Sequence, residues 1–461
     1  MRVVVLNASP KGARSVTMQY VRFLRQERPQ DAFERVDVAL HAARYEHDDA
    51  ALARVCDAVR GADAVLWAFP LYFFLVCSQA KRFIELVFER GHASAFEGRY
   101  AASLSTSIHA MDHVAHRYVN AVCDDLGMRW HGEFSADMYD LLEPEEQRRL
   151  LAFADAFLEA ARLGHPTIRR HAPLAPVAWC YAPGPSGPPL ALAGRRVTIV
   201  HDARPEDANL GRMVAALARR LGDGVEVVDL NGVRIQGGCL GCMRCAYDAR
   251  CVYTGKDEFA EFFERALRGA DAIVLAGTIR DRYLSSRWKL FFDRSFFNNH
   301  TPSLQGRQVA LLVSGPLGQL PHLRDAIQAW AEFQRANFAG AASDESGDAA
   351  GTDSDLTALA LRVADGVARG YVAPRTFLGV GLAKVFRDDV FGRLRFPFLA
   401  DDRNYRALGL YDFPQRQVGV RVRNAAMSLL MRSARLRDRV YRRELLPGML
   451  RPFERLFERD D

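Results

Sequence analysis

Residues 62–72 read ADAVLWAFPLY, and residues 270–280 read ADAIVLAGTIR. Each opens on Ala-Asp-Ala and continues as an apolar run without polar alternation, the pattern of a strand buried on both faces. The match extends downstream. KRFIELVFER begins at Lys81 and KLFFDRSFF at Lys289, while GRYAASLSTS begins at Gly98 and GRQVALLVSG at Gly306. All three pairs share one offset of 208 residues and one order. A period of that size marks duplicated domains and not a solenoid.

Outward from this run, each copy alternates strands with helices. In the first copy, strands are expected at 3–6, 35–40, 64–69, 100–105 and 128–134. Helices are expected from Val16, where Tyr20, Phe23 and Leu24 follow at helical spacing, and at 49–60, 78–89, 112–126 and 144–162. Continuous apolar strands separated by helices imply a parallel sheet covered on both faces. Right-handed crossovers then make the doubly wound α/β fold the economical topology. In such folds ligands bind beyond the carboxyl ends of the strands.

The domain boundaries follow: a first domain over 1–165, a linker over 166–194, a second domain over 195–374 and a basic extension over 375–461. The linker holds PGPSGPP at 183–189, which is loop chemistry. AASDESGDAAGTDSD, 341–355, reads as a mobile polar insertion. The extension reads as helical or irregular, with an amphipathic helix over 421–446, packed on the core or on a partner subunit; association with a membrane surface is the lesser alternative.

The 461 residues are 49% apolar and 26% charged, with a formal net charge of +6. These are globular proportions, and the length allows about two to four domains. Residues 375–461 carry 19 basic and 11 acidic residues. Because those charges are mixed in sign, no nucleic-acid partner is expected. The longest apolar run, near 64–77, is interrupted by Pro70 and too short to span a bilayer. The strand-like 3–6 is too short for a secretory signal core, and eight cysteines fit thiols or metal ligands of a cytoplasmic protein.

The first strand runs into NASPKGARSVT, 7–17. Such a loop offers backbone N–H groups, hydroxyls and the positive end of a helix, a combination that binds phosphate; Lys11 adds a cation. Read structurally, Ser15 is an ordinary helix cap. The residues Ser9, Pro10, Lys11, Ser15 and Thr17 resemble the FMN-phosphate loop of the NAD(P)H-dependent FMN reductase and quinone reductase superfamily, whose fold is flavodoxin-like. Ala8 stands where that family usually has glycine, and Lys11 where it has arginine.

Two further loops resemble the same family. FPLYFFLVCSQAKRFIE, 69–85, is similar to its second flavin loop, which implies Pro70, Leu71, Tyr72 and Phe73 against the isoalloxazine. A strand end running into a core helix is the structural alternative. STSIHAMDH, 105–113, is similar to its third flavin loop, which implies Ser105, Thr106, Ser107 and His109 at the ring edge, with His113 a further donor. The resemblance implies two tandem flavodoxin-like doubly wound sheets, FMN as cofactor and NAD(P)H as co-substrate. It implies a quinone, nitro, azo, metal-complex or protein electron acceptor. No acid or base is required by that chemistry, so the catalytic residue is left unknown, with Tyr72 and His109 as candidates. Flavins in this family often sit near a dimer interface, which implies a homodimer or an equivalent interface inside the tandem chain.

The second copy departs where phosphate would bind. VHDARPEDANLGRM, 200–213, brings Asp202, Glu206 and Asp207 there, and carboxylates oppose phosphate; Arg204 and Asn209 partly compensate, so FMN in this copy stays open. AGTIRDRYLSSRWKLFFDR, 276–294, and SGPLGQL, 314–320, still look like flavin loops. Between the second strand and the next helix this copy has gained GGCLGCMRCAYDARCVYTG, 237–255. There Cys239, Cys242, Cys245 and Cys251 are spaced C-x2-C-x2-C-x5-C. Such spacing lets thiolates converge without long-range folding. It resembles the compact motif of iron–sulfur flavoproteins, which implies a 4Fe-4S cluster on all four. Many FMN reductases have a similar loop without an established cluster, and a zinc site or redox-active thiols also stay open. Two rival functions accordingly remain: an iron–sulfur or flavodoxin-like electron carrier, and a non-catalytic cysteine-based redox sensor.

Overall fold

Five parallel strands form the first sheet: β1 (Arg2–Asn7), β2 (Ala32–Val36), β3 (Ala64–Pro70), β4 (Tyr100–Ser107) and β5 (Arg129–Asp137), in the order β2-β1-β3-β4-β5. Between and after them run α1 (Val16–Glu27), α2 (Asp49–Arg60), α3 (Ser78–Glu89), α4 (Asp112–Asp125) and α5 (Pro144–Leu163). The two-residue period of the strands divides the core. Val3, Val5, Ala64 and Leu66 face α1 and α5, where they meet Tyr20, Leu24 and Phe157. Val4, Leu6, Val65 and Trp67 face the opposite helices. The computed structural model describes residues 1–185, 187–412, 417–445 and 447–451.

The second sheet repeats the plan with β6 (Val197–His201), β7 (Val225–Asp229), β8 (Ala272–Arg280), β9 (Gln308–Ser314) and β10 (Asn337–Ser343), ordered β7-β6-β8-β9-β10. A two-residue strand, Tyr283–Leu284, pairs antiparallel with β8. Its helices are α6 (Ala208–Leu221), α7 (Ser286–Ser295), α8 (Pro321–Phe333) and α9 (Ala349–Arg369). One face of each sheet contributes to a single continuous core, which joins Leu6 and Trp67 to Leu275 and Leu311.

Three expectations are corrected. β2 ends at Val36 and not at residue 40, because Asn7 Nδ2 donates to Asp37 Oδ1 at 2.7 Å and the chain turns there. Residues 341–355 are no insertion. They finish β10, and Asp348 then caps α9 by accepting from Gly351 N at 2.7 Å. The helix expected over 421–446 is broken into Val418–Leu430 and Ala434–Arg439, and its last residue lies outside the described residues.

The chain divides into two compact units, Met1–Tyr405 and Arg406–Asp461. The first holds both sheets and α10 (Phe377–Phe391), whose first turn is tied to α8: Thr376 N and Gly379 N both donate to Glu332 Oε2, at 2.8 and 2.9 Å. In the second unit, no described residue of Val418–Leu430 is buried. Among the described residues no helix is long and apolar enough to cross a membrane.

The copies join through α3 and α7, and the contact is reciprocal. Lys81 Nζ bonds Glu85 Oε1 (2.8 Å) one turn along α3 and donates to Arg280 O (3.1 Å) across the interface. Lys289 Nζ bonds Asp293 along α7 and donates to Tyr72 O (2.8 Å). Glu85 accepts from Ser286 N, and Asp293 accepts from Ser78 N, both at 2.6 Å, so each carboxylate caps the opposite helix. Every residue in one half of this set lies 208 positions from its counterpart. Symmetry breaks at one point: Asp281 stands where the first copy has Phe73, and it takes a further bond from Lys81 at 2.8 Å. Burial and the neighbouring Glu85 push Asp281 up to about 7, although Lys81 pulls it down.

Truncating one partner of a fully buried ion pair leaves an uncompensated charge. Lys81→Met is therefore expected to lower the unfolding free energy by about 3–5 kcal/mol, and adding Asp281→Asn should recover part of the loss. Urea unfolding followed by tryptophan fluorescence measures both; a loss below about 1 kcal/mol for the single variant would rule out the ion pair as a structural tie.

Candidate functional site

The carboxyl ends of β1, β3 and β4 open onto one cavity of about 430 Å3. That volume lies in the range of small-molecule and cofactor sites. Ser9, Lys11 and Ser15 line it from the turn after β1; Pro70, Leu71, Tyr72 and Phe73 from the turn after β3; Thr106 and Ser107 from the end of β4. Nine of the twelve expected cofactor residues thus share one wall. Thr17, Ser105 and His109 lie outside the lining.

Their bonding explains why. Thr17 Oγ1 pairs with Thr106 Oγ1 at 2.6 Å, beneath the cavity floor. Ser105 Oγ bonds His116 Nε2 at 2.8 Å, while Ser103 Oγ bonds His116 Nδ1 at 2.7 Å. Burial holds His116 down to about 4, so it is a neutral structural link between two serines. His109 Nδ1 pairs with Asp112 Oδ2 at 2.9 Å on a half-exposed surface, and that bond raises its pKa. Burial holds the Tyr72 phenol protonated, so it can only donate a proton in a hydrogen bond or accept one there without ionising.

The β1–α1 turn uses its hydroxyls locally as well. Ser15 Oγ accepts from Met18 N at 3.2 Å and caps α1, and Ser9 Oγ accepts from Lys11 N at 3.2 Å. Ser15 thus caps the helix and lines the cavity at once. The first turn of α1 carries no acidic residue, and Lys11 is exposed beside it. That donor set suits a phosphate.

The β3 turn is strained. Tyr72 and Leu75 exchange backbone bonds of 2.8 and 3.0 Å, which places Phe73 (φ 43°) and Phe74 (φ 67°) in the left-handed region. Turns of that shape favour Asn-Gly, and bulky residues there are costly. The two rings are held by packing: Phe73 stacks on Phe292 of α7, with centroids 5.4 Å apart and planes at 17°. Such strain concentrates at ligand clamps.

The other walls come from far along the chain, and nothing local in the sequence assigns them to this cavity. Cys239, Gly241, Met243, Asp293 and Phe296 enter from the second copy, and Phe386, Phe396 and Phe398 from the segment beyond it. The cysteine loop is anchored by Arg294, which is buried, donates to Asp257 Oδ2 (2.7 Å) and Gly237 O (2.9 Å), and lies over Tyr253. Gly241, at φ 60°, lets this loop approach: a Cβ there would fall 2.1 Å from Tyr72 Oη and 2.7 Å from Lys11 Cε.

Cys239, Cys242, Cys245 and Cys251 line a second, smaller cavity of about 30 Å3. Cys239, Gly241, Met243, Asp293 and Phe296 belong to both walls, so they form the partition between the two spaces. Burial pushes the Cys239 and Cys245 thiols up to about 12. Among the described residues no three His, Cys, Asp or Glu side chains are grouped so as to hold a metal ion. Neither the zinc nor the iron–sulfur version of the sequence expectation thus has an assembled ligand set among the described residues, and what the four cysteines share is a small cavity.

Residues 1–161 match the family described as Flavodoxin-like fold, and residues 205–345 match the family described as NADPH-dependent FMN reductase. The chain carries two flavodoxin-like copies in tandem, the second of which matches the FMN reductase family. By these matches the tandem protein is an FMN-dependent NAD(P)H oxidoreductase. No curated relative matches it. Similar solved structures include an NADH:FMN oxidoreductase (EMOB) in its apo form, at 20% identity and a TM-score of 0.29 over 34% of this chain and 89% of that one. An NADPH-quinone reductase from P. pentosaceus has 18% identity and a TM-score of 0.27 over 35% of this chain and 98% of that one. An FMN-dependent NADH-azoreductase from Bacillus anthracis str. Ames Ancestor, in complex with FMN, has 14% identity and a TM-score of 0.26 over 35% and 98%.

Because His116 is kept neutral in the tandem protein, the unfolded chain binds its proton first as pH falls. Stability present above the unfolded value of about 6.5 is therefore lost between there and about 4, by up to about 3 kcal/mol. His116→Gln should flatten that loss in urea midpoints measured across the interval; an unchanged pH profile would mean His116 is not the group responsible.

Proposed function

We propose that FMN seats on the first copy, residues 1–165, with its phosphate at Ser9, Lys11, Ser15 and the positive end of α1. Its ring would lie along Pro70–Phe73 with its edge toward Thr106 and Ser107. The observation that carries this reading is the single cavity joining all three turns of that copy. FMN, when bound, would supply the hydride and two-electron chemistry linking NAD(P)H to the acceptor. The chain's own residues bind, orient and exclude water. Tyr72 offers a protonated hydroxyl, the strained Phe73–Phe74 turn fixes the apolar wall, and Phe296, Phe386 and Phe398 screen the far side. An aromatic enclosure of this kind favours a planar quinone, nitro or azo acceptor over a protein. We place residues 166–194 as linker, 195–374 as second domain and 375–461 as extension. All eight cysteines are free, which suits a reducing, cytoplasmic compartment.

Reconstitution with FMN, removal of the unbound fraction and a visible spectrum test the assignment; absent flavin bands would overturn it. Ser15→Asp sets a carboxylate against the phosphate and is expected to weaken FMN affinity about 100-fold or more, read by fluorescence titration. Rapid mixing of the loaded protein with NADPH and NADH should bleach the flavin; no bleaching with either would leave a one-electron carrier instead.

A second reading adds electron transfer through a 4Fe-4S cluster on Cys239, Cys242, Cys245 and Cys251. Its support is the C-x2-C-x2-C-x5-C spacing and the place of Cys239 on the wall of the larger cavity; the ligand set is not assembled among the described residues, so binding the cluster would itself have to draw the loop together. Thiols whose protons are held by burial give them up to a cation. Iron and acid-labile sulfide near four per chain are expected on this reading after anaerobic purification, falling in Cys242→Ala; metal-free protein with an intact flavin spectrum would exclude it.

A further inference from the structure

The second copy, of which residues 205–345 match the NADPH-dependent FMN reductase family, repeats the fold of the first but not its open cleft. Where β1 leads into Ala8 and Ser9, β6 leads into Asp202, which is 5% exposed and accepts a hydrogen bond from Ser285 Oγ. Arg280, at the position equivalent to Tyr72, reaches over to the phosphate turn and grips both oxygens of Asp207 at 2.7 Å. The turn after β8 is thereby tied to the turn after β6. At the third loop, Asp344 accepts from Ser314 Oγ (2.8 Å), Gly315 N (2.8 Å) and Asn209 Nδ2 (2.9 Å), which uses up the donors a ligand would need.

The linker then covers what remains. Tyr181 N donates to Asn209 Oδ1 at 2.8 Å, Asn209 Nδ2 donates to Trp179 O at 3.0 Å, and Trp179 Nε1 donates to Asp344 O at 3.0 Å. Tyr181 is fully buried. In the first copy the corresponding turns open into the cavity of about 430 Å3. The second cleft therefore opposes a flavin nucleotide twice over, by carboxylates at the phosphate end and by the chain's own linker above it.

We propose that the second copy holds no flavin, and that each chain carries one redox centre, seated on the first copy and walled by the second. This rests on the FMN site proposed above. The second copy keeps its fold and contributes Cys239, Gly241, Asp293, Phe296, Asn299 and His300 to the first copy's cavity. It thus does for the first what a partner subunit does across an isologous interface.

Counting flavin against protein in the saturated full-length chain tests this. One FMN per chain is expected. Two would overturn the inference while sparing the proposed function, and none would overturn both. Folded Ser15→Asp, with Lys11→Glu at an exposed position as a second variant, should bring the count from one toward zero at a fixed low FMN concentration. A count held at one in both would put the flavin in the second copy and overturn the inference. Asp202→Ala should leave both the count and the flavin spectrum unchanged, and a loss of flavin in it would likewise overturn the inference.

Discussion

The reciprocal lock between α3 and α7 is the constraint on which the rest of the molecule depends. Two buried lysines each bond an acid one turn along their own helix and a backbone carbonyl of the other copy, at or just past a strand end, and each acid caps the opposite helix. Charges this deep are tolerable only when every donor and acceptor is matched, so the pairing admits a single register. That register brings the carboxyl ends of the two sheets within reach of each other's loops. It places Phe292 beneath Phe73 and the cysteine loop against Tyr72 and Lys11. The shape of the cavity is thus a consequence of an ion-pair arrangement that does not itself line most of it.

Within this near-symmetric frame a few side chains decide which cleft is open. Phe73 faces a cavity, while Asp281 at the matching position is drawn into the lysine lock. Tyr72 lines that cavity, while Arg280 closes its own cleft onto Asp207. Apolar residues at these positions leave room for a flat ring, and charged ones seek internal partners and fill the room instead. The same backbone plan therefore yields a receptacle on one side and a buttress on the other.

Much of the fold was legible because strands buried on both faces carry unbroken apolar runs. The strand from Ala64 emerges from that pattern, and the helices over 49–60 and 78–89 from apolar residues at helical spacing. β2 was misplaced because Glu34 and Arg35 are exposed on a sheet edge and blur its signal. Residues 341–355 were misread because Ala, Ser, Gly and Asp serve equally in loops, in an edge strand and in a helix cap. Of the candidate site, the three turns of the first copy that line the cavity were legible, since hydroxyl-bearing and aromatic turns at strand ends have local chemistry. The turned-in hydroxyls of Thr17 and Ser105 were not, because direction within a loop depends on Thr106 and His116, far away in sequence. Neither was the left-handed Phe73–Phe74 turn, whose residues disfavour it and whose support comes from Phe292. The walls from Gly241, Phe296 and Phe386 depend on contacts spanning hundreds of residues and leave no periodic trace.

Covalent fusion of the two halves changes what substitution can do. In an assembly of identical subunits any alteration appears twice, so a residue that improves one centre must be harmless in its mirror image. Here Arg280, Asp202 and the chain segment over Asn209 occur once, facing one side only. The two halves are free to specialise independently, and the cysteine loop at 237–255 could be gained on one side without imposing a second loop on the other.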